Sequence, residues 1–403
     1  MKIGIIREEK NPPDKRVPLS PAQCAKVLST YKDLELVVQP SRIRAYPDEE
    51  YVSAGIQLQE DLSDCEVLMG VKEVPIESLL ENKTYLFFSH TYKLQPYNRD
   101  LLKAILDKKI RLIDYEMLRE QGGKRLIGFG RYAGIVGAYN AFRAYGEMTG
   151  NYSLKPAHEC FDRREMEGEL IKVKLPKTFK IALTGAGRVA GGAMEILSAL
   201  RITHVTPGDF LEESLPEPIF AQLDIKHYFK RKDEGAFSRQ EFYTKPEDFK
   251  SNFMPYAKET DMYIPCHFWS DRSPFIFTRD DAKNADFRIK LVADISCDID
   301  GPVASTLRPS TIEEPFYGYD PQNEKETTLG APGSIGVCAV DNLPCELPRD
   351  ASEDFGNELI KNVLPQFFNG DNETILARAS ETNLKGELTP SFAYLSDYVK
   401  GEA

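Results

Sequence analysis

Two short stretches of the chain put proton-transfer groups at the ends of apolar runs. "EVLMGVKE" (66–73) carries Lys72 directly after a buried-strand pattern, and "TYLFFSHTYK" (84–93) carries His90 in the same way. If both runs belong to one parallel sheet, Lys72 and His90 lie at its C-terminal edge, where open α/β sheets hold ligands. Histidine moves protons near neutrality with little tuning, and lysine does so once burial or neighbouring cations lower its pKa. The pattern alone leaves two readings open. They are an acid–base pair, or a hydrogen-bonded boundary histidine beside a lysine that pairs with Glu73.

A third stretch, "KIALTGAGRVAGGAMEIL", contains Gly185-x-Gly187-x-x-Ala190 between a strand pattern and a helix pattern. Gly185 permits a tight turn, Gly187 lets a pyrophosphate approach the backbone, and Ala190 keeps helix and strand close. The helix N-terminus adds N–H donors and positive potential. The spacing therefore predicts a nicotinamide dinucleotide site. An acidic ribose partner belongs about 20 residues on, where Asp209 stands, whereas Arg188 would favour a 2′-phosphate. The choice between NAD and NADP stays open.

Basic residues Arg7, Lys15, Arg16, Lys93, Arg125 and Arg131 fall at predicted loop positions. There they can clamp substrate carboxylates, or they can be solvated surface charge. "PCHFW" and "AHEC" lack the spacing of a zinc site, so no metal is expected. No G-x-S-x-G elbow or P-loop is present.

The elements that must position these groups alternate. Strands are expected at 2–6, 34–38, 67–71, 85–88 and 110–113, with helices at 21–31 and 98–106 between them. Ser20 before Pro21 reads as a helix N-cap. A long helix with small residues at helical spacing (Ala133, Gly134, Gly137, Ala138, Ala141) is expected within 128–150, inviting a close neighbour and connecting two domains. Segment 151–176 reads as an irregular excursion. A second alternating region starts with strand 179–183, helix 188–200 and strand 203–206. An insertion with surface helices is expected at 211–260. Strands at 262–266 and 291–295 and a helix at about 352–368 follow.

The whole is an α/β chain of two Rossmann-like, doubly wound parallel-sheet domains. Expected boundaries are 1–130 plus 350–403 for one domain and 131–349 for the other.

The 403 residues carry a net charge of −12, with 41% apolar and 28% charged residues. This balance permits full cores and argues against a nucleic-acid partner, which needs a basic face. No apolar run is long enough to span a membrane, and "MKIGIIREEK" lacks a signal peptide's apolar region. Seven scattered cysteines without a C-x-x-C pair fit reduced thiols, so a cytoplasmic location is expected.

"REEKNPPDKRVPLSP", "GVKE", "FFSHTYK", "LIDYE" and "GFGRYAG" resemble the N-terminal domain shared by alanine dehydrogenase and the lysine-forming saccharopine dehydrogenases. "QPSRIRAYPDEEYVSAG", "LVADISCDIDG", "TIEEPFYGYD" and "AVDNLPCELPRDASEDFG" extend the resemblance over nearly the whole chain, most closely to lysine–2-oxoglutarate reductases. The resemblance implies an active site in the cleft between the two domains and NAD or NADP as cofactor. It implies reversible interconversion of L-lysine plus 2-oxoglutarate with saccharopine through an imine, and a separate dehydrogenase partner taking saccharopine onward. By resemblance Lys72 and His90 are the acid–base pair. Arg16, Lys93, Arg125 and Phe129 hold or line the substrate. Gly185, Gly187, Arg188 and Ala190 form the nucleotide turn, with Phe268, Asp341 and Leu343 on the cofactor side. The rivals are an alanine dehydrogenase-like amino-acid dehydrogenase and a non-catalytic nucleotide-binding protein; the Lys72–His90 pair argues against the latter.

Overall fold

The computed structural model describes residues 1–212 and 215–401. Its chain divides into two compact units, Met1–Phe129 with Pro348–Ala403, and Gly130–Leu347.

In the first unit the apolar runs become strands β1 (Lys2–Ile5), β2 (Glu35–Val38), β3 (Gln57–Leu58), β4 (Val67–Met69), β5 (Thr84–Phe87) and β6 (Arg111–Asp114). They form one sheet in the order β3-β2-β1-β4-β5-β6, every pair parallel. Parallel strands covered on both faces bury every side chain, which is why β5 reads as an unbroken apolar run. Helix Pro21–Thr30 starts at Ser20, whose side chain accepts from the Gln23 N–H while the Gln23 side chain caps the Ser20 N–H. Helix Pro348–Asn362 brings Phe355 and Leu359 into the same core as Ile3, Leu86 and Tyr115. This unit is therefore built from both ends of the described chain.

The second unit holds β7 (Lys180–Thr184), β8 (Thr203–Val205), β9 (Ile219–Leu223), β10 (Phe229–Arg231), β11 (Phe249–Ser251), β12 (Met262–Pro265), β13 (Leu291–Ala293), β14 (Phe316–Asp320), β15 (Lys325–Thr327) and β16 (Ile335–Cys338). Eight of them form a sheet in the order β15-β14-β16-β13-β12-β7-β9-β8, while β10 and β11 make a separate hairpin. The sheet is parallel except at β14 and β15, whose antiparallel pairing the sequence reading did not anticipate.

Two further expectations are corrected. The presumed insertion 211–260 contains β9, a buried strand that pairs with both β7 and β8. The presumed irregular excursion contains helix Arg163–Glu169, capped by Asp162. Helix Gly130–Thr149 belongs to the second unit and packs on helix Arg188–Ala199. A Cβ on Gly134 would lie 1.9 Å from the Val189 carbonyl, and one on Gly192 1.9 Å from the Arg131 carbonyl. The small residues are there to let two backbones meet.

Candidate active site

Because β4 and β5 are adjacent and parallel, Lys72 and His90 leave the sheet at the same edge. Glu8, just beyond β1, fixes the first exit: its carboxylate accepts from the Val71 N–H at 2.6 Å and the Lys72 N–H at 2.9 Å. Burial pushes this carboxyl up to about 8 against the pull of those two bonds. At the second exit His90 adopts a left-handed backbone, φ 57°. Its Nδ1 sits 2.7 Å from Glu73 Oε1, and the other Glu73 oxygen accepts from Lys10 Nζ at 2.6 Å. Burial works to raise the Glu73 carboxyl, but His90 and Lys10 outweigh it and hold it at about 2. Glu73 is therefore an anion at any working pH. With Nδ1 engaged, Nε2 is the His90 nitrogen left to exchange a proton with a ligand.

Of the predicted clamps, Arg16, Lys93 and Arg125 lie around the same edge, each already with a partner, whereas Arg7 pairs with Glu60 and Arg131 lies on a helix of the second unit paired with Glu195. Arg16 is buried and binds Asp14 through Nε at 3.0 Å and Nη2 at 2.6 Å. Asp14 is held at about 2: burial opposes its charge, but Arg16, helped by Lys72, prevails. The Arg16 guanidinium lies 4.2 Å over the Phe129 ring, and Phe129 stacks on Phe355 at 4.6 Å. Lys93 Nζ and Arg125 Nη2 each reach Glu116 at 3.0 Å, and the Tyr92 hydroxyl donates to the same carboxylate. Burial would raise Glu116, yet these three donors leave it below its ordinary value. Two cations on one carboxylate leave a net positive corner suited to an incoming carboxylate.

The second unit presents its own C-terminal edge. Gly185 has φ +105°, and a Cβ there would lie 2.5 Å from the Cys266 carbonyl, so only glycine fits. Nothing stands within 4 Å of a Cβ on Gly187, which caps helix Arg188–Ala199 without any side-chain hydrogen bond. A bare helix N-terminus over an open glycine, with Ala190 fully buried behind it, fits a dinucleotide pyrophosphate. Arg188 opens that helix, and Phe268 stands 85% exposed beyond β12. Asp341 is exposed beyond β16.

Two cofactor-side expectations change. Leu343 is buried and packs against Gly137 of the neighbouring helix, so it serves the core. Asp209 follows the outer strand β8, in helix Pro207–Glu212, where its carboxylate accepts from Thr206 Oγ1. The strand beside β7 is β9. The Gly185 N–H donates to the Leu223 carbonyl at 3.1 Å, and Gln222 Nε2 donates to the Gly185 carbonyl at 2.9 Å. The acid next to the glycine turn is therefore Asp224, which accepts from Arg239 Nη2 at 2.7 Å with each oxygen. The sequence reading missed Glu8, Glu73, Glu116 and Asp224 in these roles. Only Glu73, adjacent to Lys72 in "GVKE", carried a local signal.

Among the described residues no group of three or more His, Cys, Asp or Glu side chains forms a metal site. None of the helices among the described residues is long and apolar enough to cross a membrane. Burial pushes His267 down to about 4, and its Nδ1 meets Thr184 Oγ1 at 2.8 Å, so this histidine is a neutral core residue.

Residues 4–136 match the family "Alanine dehydrogenase/PNT, N-terminal domain". Over 98% of its length the chain is 31% identical to alpha-aminoadipic semialdehyde synthase of Mus musculus, of which it covers 47%. Over 89% it is 26% identical to saccharopine dehydrogenase [NAD(+), L-lysine-forming] of Yarrowia lipolytica, covering 90% of that protein. The chain is thus similar in sequence to these enzymes, and its N-terminal third matches the alanine dehydrogenase/PNT N-terminal domain. It spans about half the length of the semialdehyde synthases it matches, 47% of the mouse protein and 41% of the Arabidopsis thaliana one. Among solved structures it resembles L-alanine dehydrogenase, with a TM-score of 0.67 and 16% identity over the whole of both chains. A transhydrogenase from Sinorhizobium meliloti gives a TM-score of 0.57 at 14% identity, over 96% of this chain and all of that one. At such identities the structural likeness speaks for the fold alone.

Proposed function

We propose that this chain is an NAD(P)-dependent oxidoreductase interconverting L-lysine plus 2-oxoglutarate with saccharopine. The observation that carries the reading is Lys72 and His90 at adjacent strand ends of one sheet edge, with His90 held by an anionic Glu73. The names of the relatives supply the substrate class.

In this reading Lys72 takes a proton from the substrate ε-ammonium, freeing the amine to attack the keto carbon of 2-oxoglutarate. His90 then donates through Nε2 to the carbinolamine hydroxyl, which leaves as water and gives the iminium. The Gly185–Gly187 turn would hold the nicotinamide cofactor, which in its reduced form would supply the hydride that reduction of an iminium needs. The corner of Lys93, Arg125 and Glu116 holds a substrate carboxylate, and Arg16 with Phe129 shapes the wall beside it. Asp224 accepts from the adenosine ribose hydroxyls, a role that favours NADH over NADPH.

The seven free thiols support a reducing, cytoplasmic compartment.

The test is a substrate panel with NADH and NADPH, following cofactor absorbance. Oxidation that requires both lysine and 2-oxoglutarate supports the reading. Turnover with pyruvate and ammonia instead, or binding of cofactor without turnover of any pair, overturns it.

A further inference from the structure

Behind His90 lie four fully buried polar side chains that the proposed chemistry does not use: Ser89, Thr91, Asp114 and Glu381. Glu381 arrives from the far end of the chain. Segment 380–382 runs along the outer edge of β6, with the Glu381 N–H donating to the Leu112 carbonyl at 2.8 Å and Thr382 Oγ1 bonded to Ile110 and Leu112. The side chains form a row of oxygens. Asp114 Oδ2 to Ser89 Oγ is 2.5 Å, Ser89 Oγ to Thr91 Oγ1 is 2.6 Å, and Thr91 Oγ1 to Glu381 Oε2 is 2.6 Å.

Each of these three contacts requires one hydrogen between its oxygens. The two hydroxyls supply two, so the third must come from a carboxyl group. Asp114 accepts from the Ser89 N–H at 2.8 Å and the Glu116 N–H at 2.6 Å, the acceptor pattern of an ionised carboxylate. Glu381 meets only hydroxyls, the second at 3.4 Å.

We propose that Glu381 is a positioning residue that keeps its proton at neutral pH, and that the hydrogen-bond row it completes through Thr91 and Ser89 to Asp114 locks the left-handed turn presenting His90. The proposal rests on His90 being the acid–base group. A left-handed backbone at a non-glycine residue is strained by roughly 1–2 kcal/mol and persists only where its surroundings fix it. The residues on both sides of His90 are the two hydroxyls of the row. Ionising Glu381 removes one of three hydrogens and sets a second anion against Asp114 in a dry site. Burial and the Asp114 charge push Glu381 up to about 8, consistent with the hydrogen count.

The other charged or titratable groups facing this row are few. Glu116 lies beyond Asp114, while Tyr394 and Tyr398 face Glu381 and are raised by burial, so they stay neutral. On the His90 side stand Glu73, Lys10 and Lys93. Tyr92, raised by burial and by Glu116, stays neutral too.

Infrared titration of the full chain reads the proton directly, and the pH profile of kcat reads its consequence. The expected result is protonated-carboxyl absorption that fades as pH rises through about 8 and that Glu381→Gln reduces by the Glu381 share, leaving the share of Glu8. Glu381→Leu lowers kcat at every pH. The Glu381→Gln amide, still able to donate to Thr91, restores most of it and shifts the alkaline loss upward by a pH unit or more. If Glu381→Leu does not fold, the infrared band and the Glu381→Gln profile decide alone. An unchanged band in Glu381→Gln, or an alkaline limb identical to the parent's, overturns the proposal. If the chain turns over no lysine and 2-oxoglutarate, the functional reading fails while the band still tests the proton.

Discussion

At the scale of single residues, carboxylates surround Lys72 and His90, the two groups proposed to carry protons. Glu8 grips the backbone at Lys72, Glu73 grips the ring of His90, and Glu116 gathers Lys93 and Arg125. Lys72→Met and His90→Gln are each expected to lower kcat by ~10²–10⁴-fold. NADH affinity by fluorescence titration should stay within about twofold, since neither residue belongs to the glycine turn. A parent-like rate in either variant would remove that residue from the chemistry. The placement of Lys72 and His90 at strand ends was legible in sequence because a charge directly after an apolar run is a local signal. The carboxylates were not, because their partners are remote: Glu8 and Lys72 are 64 residues apart, and Glu381 and Thr91 are 290. A strand-end pattern points outward from its own segment and says nothing of what meets it there.

At the scale of elements, backbone contact sets the nucleotide site. Gly134→Ala should destabilise the chain by about 1–3 kcal/mol in urea unfolding, because its methyl meets the Val189 carbonyl. The close neighbour was predictable from small residues at helical spacing, though its identity was not. Strand order was less legible. The first strand after the glycine helix, β8, goes to the sheet edge, and β9 then takes the place beside β7. Counting residues onward from the glycines reaches Asp209, whereas the hydrogen bonds of Gly185 lead to Asp224. β9 was hidden because five strand residues between Pro218 and Asp224 sit in a segment dense with charge and proline. Asp224→Ala is expected to weaken NADH binding by ~10-fold or more, from loss of hydrogen bonds to a charged acceptor. Asp209→Ala should leave binding unchanged. The reverse pattern in a fluorescence titration would restore the simple count.

At the scale of the whole molecule, buried carboxyls of two kinds oppose each other with pH. Asp14 and Glu73, held at about 2, contribute stability that is present above their ordinary carboxylate range and lost on acidification towards 2. Glu8 and Glu381, raised to about 8, do the opposite. Below about 4.5 they are protonated in folded and unfolded chains alike. Between there and 8 only the folded chain keeps the proton, so each such group costs the fold up to about 1.4 kcal/mol of stability per pH unit. Glu381→Gln removes one of these losses. Its Tm relative to the parent should therefore rise steadily from pH 5 to pH 8, and a flat difference would contradict a proton on Glu381.

The first unit is closed by residues that are made only after the whole of the second. Strands β1 to β6 emerge early, but Phe355 and Leu359 reach their core only after Gly130–Leu347 has been made, roughly 10–40 s later at ordinary synthesis rates. During that interval the second unit has its own sequence complete and can fold, while parallel strands with an unfinished core wait in solution. Of the two units, the one that starts first is completed second. Nascent chains are thus most exposed to aggregation through residues 1–129, and a chaperone that shelters nascent chains should be found on those residues.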